Sequence, residues 1–93
     1  MNVIDADFCM KVSDSSMEKI RILKDDIVFV KRRKPKDKEI AVVLNGETAM
    51  IGRLFISNGF AILFPYSENY EPIFYDECPE VLGTVVAFQS SLI

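Results

Sequence analysis

Two Asn-Gly dipeptides, Asn45-Gly46 and Asn58-Gly59, each fall between short runs rich in β-branched and aromatic residues, and no other feature constrains the fold as tightly. Asn-Gly readily supplies the positive φ angles of a two-residue hairpin turn, so the runs at residues 40–44, 49–55 and 60–64 are expected to join as a meander. Similar runs recur at residues 8–12, 27–31, 72–75 and 81–88, and strands at this spacing predict a mostly β chain. One segment departs from the pattern. Over residues 15–22, Ser15-Ser16-Met17-Glu18 has the spacing of a capping box and Met17 and Ile20 recur three apart, which predicts one short helix.

A chain of 93 residues makes one domain, residues 1–93. No apolar run comes near the ~20 residues of a membrane span, and the N-terminus carries Asp5 and Asp7 where a secretory signal would carry basic residues before an apolar stretch. The expectation is a cytoplasmic protein with no membrane contact. Cys9 and Cys78 have no CxxC spacing, and the chain holds no histidine, so neither a metal site nor a cofactor is expected. In a reducing compartment the two thiols stay free.

Charge is unevenly spread over the net −3: all seven lysines lie at or before Lys38, and Arg53 is the only cation beyond it. The basic run at residues 31–38 reads as a solvated loop between two strands, with Pro35 as the breaker. No aromatic residue interleaves its charges, as a platform for single-stranded nucleic acid would need. The aromatics Phe60, Phe64, Tyr66, Tyr70, Phe74 and Tyr75 are expected to pack in the core and in the loop at residues 65–72.

Three features occur in order: Phe8-Cys9-Met10-Lys11-Val12 running into Ser15-Ser16-Met17, then Lys24-Asp25-Asp26-Ile27-Val28-Phe29-Val30, then Ile40-Ala41-Val42-Val43-Leu44 before an Asn-Gly turn. Further along stand Phe60-Ala61-Ile62-Leu63-Phe64-Pro65, Asn69-Tyr70-Glu71-Pro72-Ile73 and Leu82-Gly83-Thr84-Val85-Val86-Ala87-Phe88. Together they resemble the C-terminal domain of LexA-like and phage repressors, a family of self-cleaving serine/lysine peptidases related in fold to signal peptidase. The resemblance covers nearly the whole chain. It implies a mostly β, β-clip type fold of about seven short strands with one short helix.

On that resemblance Ser16, followed by Met17 and preceded by Ser15, matches the nucleophile of a Gly-x-Ser-Met motif, with Asp14 in place of the glycine. Asp25-Asp26 stands where the family usually has Gly-Asp, and Asp is among the better substitutes at positive φ. The general base should be a lysine kept neutral by burial, in the strand after the hairpin and just before a basic residue. Aligned without gaps, that position is Gly52, next to Arg53, whose guanidinium stays protonated and cannot serve. Lys11, Lys19 and Lys24 are the available substitutes; Lys11 alternates with apolar Met10 and Val12 and so faces solvent, as does Lys19 on a short surface helix. A lysine introduced at 52 would point from its strand towards Ser16.

The resemblance therefore implies a C-terminal repressor domain that holds a homodimer and whose peptide substrate would be its own interdomain linker in the full-length protein. DNA would be bound only through an N-terminal helix-turn-helix domain that this chain does not contain. With Gly52 at the base position and no Ala-Gly pair before Phe8, self-cleavage is expected to be lost. Two alternatives stay open: an active peptidase using Ser16 with a displaced base, and a UmuD-like accessory subunit of a translesion polymerase. Residues 81–88, apolar on both faces and near the chain end, are expected to be an unpaired strand through which two copies associate.

Overall fold

The computed structural model describes residues 4–90. Seven antiparallel strands form one sheet: β1 (Phe8–Lys11), β2 (Ile27–Lys31), β3 (Glu39–Asn45), β4 (Thr48–Ser57), β5 (Phe60–Phe64), β6 (Ile73–Tyr75) and β7 (Glu80–Gln89), in spatial order β1-β2-β7-β3-β4-β5-β6. The expected meander is β3-β4-β5. Its second turn has positive φ at both Asn58 (49°) and Gly59 (85°), the signature of a type I′ hairpin, and joins the pair Ser57 and Phe60. The first turn is shifted by one residue: Asn45 still pairs with Thr48, and Gly46, at φ 68°, takes the first turn position.

The predicted helix shrinks to a single 3-10 turn, Glu18–Ile20, with no side-chain cap. The capping box does not form: Glu18 Oε1 accepts from the Ser67 hydroxyl at 3.1 Å instead of reaching back to Ser15, and the Ser16 backbone has partners of its own. Asp14 Oδ1 accepts the Ser16 N–H at 2.9 Å, and the Ser16 carbonyl accepts the Tyr66 N–H at 2.6 Å. Arg21, at φ 68°, ends the turn in the left-handed conformation. Asp25 has φ 76° and so supplies the backbone geometry that the family's glycine would.

Both sheet faces carry core. On one, Val28, Val30, Val42 and Ile51 pack against Val12, Met17 and Ile22 of the segment crossing the sheet between β1 and β2. On the other, Ala41, Val43, Leu54, Ala61 and Leu63 form a second cluster with Ile73 and Tyr75 at its margin.

Two expectations are corrected. β7 is not an unpaired strand: it lies between β2 and β3. Its ladder with β3 nevertheless ends at Thr84, so residues 85–89 pair with β2 alone among the described residues. Nor are all the aromatics core. Phe74 is 73% exposed, Phe60 58% and Phe64 37%, because the segment that covers this face of β3 and the start of β4 does not extend over β5 and β6.

Candidate functional site

Ser16 and Met17 leave β1 through Val12 and drop against the sheet. Met17 is fully buried and anchors the turn in the core, which carries Ser16 down to 5% exposure; Ser15 beside it is half-buried. Ser16 lines a pocket of about 20 Å³ with Met50, Ile51, Leu63, Pro65, Tyr70, Glu71 and Ile73, room for about one water. Its walls are mainly apolar, and no lysine is among them.

Gly52 is buried and pairs with Ala41 in the β3-β4 ladder, which places it between the pocket-lining Met50 and Ile51 and the half-buried Arg53. A Cβ added there would point at Leu63, meeting Cδ1 at 2.8 Å and Cγ at 2.9 Å, and would also approach the Phe64 carbonyl at 2.9 Å. Leu63 is one wall of the Ser16 pocket. Leu63 thus stands between Gly52 and the Ser16 pocket, in the path that a side chain from 52 would take.

The substitute lysines lie elsewhere. Lys11 alternates outward on β1, Lys24 is exposed, and the exposed Lys19 pairs with Glu68 at 3.3 Å. Arg53 holds the site together instead. Its Nε donates to the Tyr66 hydroxyl and its Nη1 to the Lys38 carbonyl at 2.6 Å, while its guanidinium lies 5.4 Å from the Tyr66 ring centroid. Tyr66 in turn donates its N–H to Ser16, so the strand carrying Gly52 and the turn carrying Ser16 are tied through one residue.

Sequence reading missed three participants: Tyr66, whose role depends on a backbone bond, Leu63, whose role depends on register, and the hydrogen bond of Asp14. The last had a signal, since Asp two residues before an N–H commonly folds back to accept it.

The basic loop pairs part of its own charge. Arg33 makes a bidentate pair with Glu39 at 2.8 Å through both nitrogens, Lys31 reaches Asp5 at 3.0 Å, and the Arg32 guanidinium lies 4.9 Å from the Phe8 ring centroid. The Arg33 pair and the Lys36 N–H lower the Glu39 carboxyl from 4.5 to about 2. A larger groove of about 400 Å³ runs between this loop and Leu54, Ile56, Pro79 and Val81, apart from Ser16. Cys9 and Cys78 are exposed free thiols, and no helix among the described residues is long and apolar enough to cross a membrane.

Comparison with known proteins places the chain among relatives. A family profile described as Peptidase S24-like matches residues 2–86. The LexA repressor of Clostridium perfringens is 36% identical over 80 residues, covering 85% of this chain and 39% of its own length. The LexA repressor of Clostridium tetani is 35% identical over 80 residues, covering 85% of this chain and 40% of its own. The chain thus spans about two fifths of the length of these relatives.

Proposed function

The chain belongs to the Peptidase S24-like family, and from that premise we propose that it is the C-terminal dimerisation domain of a phage-like transcriptional repressor in which self-cleavage has been lost. The observation that carries the reading is Gly52. A serine hydroxyl attacking a linker carbonyl must hand its proton to a group within hydrogen-bond reach, and positioned transfer of this kind is typically worth about 10² to 10⁴-fold. Gly52 has no side chain, and no lysine lines the Ser16 pocket.

A second feature supports the same conclusion. As the carbonyl is attacked, negative charge develops on its oxygen, and backbone N–H groups beside the nucleophile are the usual donors to it. The Ser16 N–H is already committed to the Asp14 carboxylate at 2.9 Å. A fixed carboxylate there both occupies a donor and places negative charge beside the position where more would form.

The retained role is assembly: a two-fold pair of such domains would bring two DNA-binding heads to two half-sites in the cytoplasm, the heads belonging to a part of the repressor outside this chain. The test is incubation of the full-length repressor at the alkaline pH that deprotonates lysines, read as fragment formation. The protein is expected to stay intact, indistinguishable from Ser16→Ala. Cleavage that Ser16→Ala abolishes would show that another base operates, with Lys11 the first to examine.

A further inference from the structure

Ile62 of β5 lies directly opposite Phe55 of β4 on one side and Phe74 of β6 on the other, and Phe60 and Phe64 share its face by the two-residue period of a strand. Phe55 and Phe64 stack edge-on with ring centroids 5.2 Å apart. This aromatic face is left open, Phe74 and Phe60 being more than half exposed. Beside it the sheet ends. β6 pairs with β5 alone among the described residues, so its other side presents backbone N–H and C=O groups to solvent.

The charge around this edge has one sign. Glu71, Asp76 and Glu77 flank the strand, all are exposed, and none takes part in an ion pair among the described residues. No cation follows Arg53 in the sequence. We propose that β6 accepts an added strand from another protein, an extended segment in which basic residues alternate with apolar ones. Its backbone pairs with Ile73–Tyr75, its apolar side chains cover Phe74, and its basic side chains, on the opposite face, meet Glu71 and Glu77.

Charge also argues against a second copy as the occupant. Two-fold antiparallel pairing centred on Phe74 would set Glu71 of each copy opposite Glu77 of the other and Asp76 opposite Pro72, and like charges directly opposed across strands are destabilising. A three-residue strand and a few exposed rings fall short of the roughly 800 Å² per partner of a stable interface, so the contact is a transient one. Glu71 and Ile73 also line the Ser16 pocket, so the edge adjoins that site, but the strand pairing needs no chemistry at Ser16.

The experiment is a titration of the 93-residue chain into a fluorescently labelled synthetic peptide alternating lysine with valine, followed by anisotropy. Saturable, salt-sensitive binding is expected, weakened by about tenfold or more when glutamate replaces lysine in the peptide. Phe74→Lys should abolish it, Phe74→Leu should retain it, and Leu23→Lys, on an exposed loop elsewhere, should leave it unchanged; thermal midpoints establish that all three variants are folded. Absence of binding, equal binding of the glutamate peptide, or binding that survives Phe74→Lys overturns the proposal. So does self-association of the native chain that Phe74→Lys dissolves, since the occupant would then be a second copy.

Discussion

At the scale of single residues, the proposed loss of cleavage involves Gly52, Leu63 and Asp14, and the three are not equivalent. Gly52 offers no side chain that could act as a base. Leu63 then occupies the space, so a lysine introduced at 52 must displace a side chain whose atoms lie 2.8 and 2.9 Å from the new Cβ. Overpacking of this kind typically costs about 1–3 kcal/mol. Asp14 engages the Ser16 N–H. Gly52→Lys alone is therefore expected to lose stability and cleave poorly, Leu63→Val should make room for it, and adding Asp14→Gly should raise the alkaline cleavage rate by a further ~10² to 10³-fold, the usual worth of one oxyanion donor. The assay uses full-length protein with an Ala-Gly pair in its linker, and Ser16→Ala in the same background as the blank. Equal rates with and without Asp14 would remove the carboxylate from the account. The sequence singled out Ser16 and Gly52 by a motif and a gapless register, and the structure shows both buried. Leu63 was not legible in the sequence, because its role depends on which strand lies against β4.

At the scale of elements, all seven strands were legible because alternation is a local signal that the sheet then uses. The helix was misread because a capping box states only what Ser15 and Glu18 can do locally, whereas Tyr66, fifty residues beyond Ser16, takes up the Ser16 carbonyl and the Lys19 N–H. The exposed aromatics were misread for a related reason: period two shows which residues share a face, not whether anything covers it. The loop between β2 and β3 shows how local charge is resolved. Glu39 accepts from both Arg33 nitrogens and from the Lys36 N–H, and its carboxyl is held at about 2 rather than 4.5. A carboxyl depressed in the folded state adds stability above its unfolded value, and that contribution is lost as pH falls from about 4.5 through about 2. Glu39→Gln should therefore flatten the fall of the urea midpoint across this window while changing its slope little above it. The change should be small and salt-sensitive, since the Arg33 side chain is 41% exposed and solvent screens the pair. An undiminished fall in Glu39→Gln would place the acid sensitivity in other carboxylates.

At the scale of the whole molecule, two stretches of strand left unpaired on one side among the described residues differ in their surroundings. β6 ends the sheet with an acidic surround, while the C-terminal half of β7 is a partial edge inside the sheet, where the ladder to β3 stops at Thr84 and residues 85–89 continue against β2 alone. Val86, bulged out of the β2 register, and Phe88 are 42% and 45% exposed there. Residues 85–89 contain no charged side chain, so two copies meeting antiparallel along this stretch would complete each other's ladders without the opposed carboxylates that disfavour pairing through β6. Burial of the apolar side chains, at about 25 cal/mol per Å², adds to the backbone pairing. The expected result is a two-fold dimer in sedimentation at micromolar concentration, converted to monomer by Val86→Asp with Phe88→Asp, which bring like charges together at the axis, and left intact by Phe74→Lys at the opposite edge. Retention of the dimer in the doubly charged variant would move the interface elsewhere, and a strict monomer in the native chain would withdraw assembly as the role that outlived cleavage.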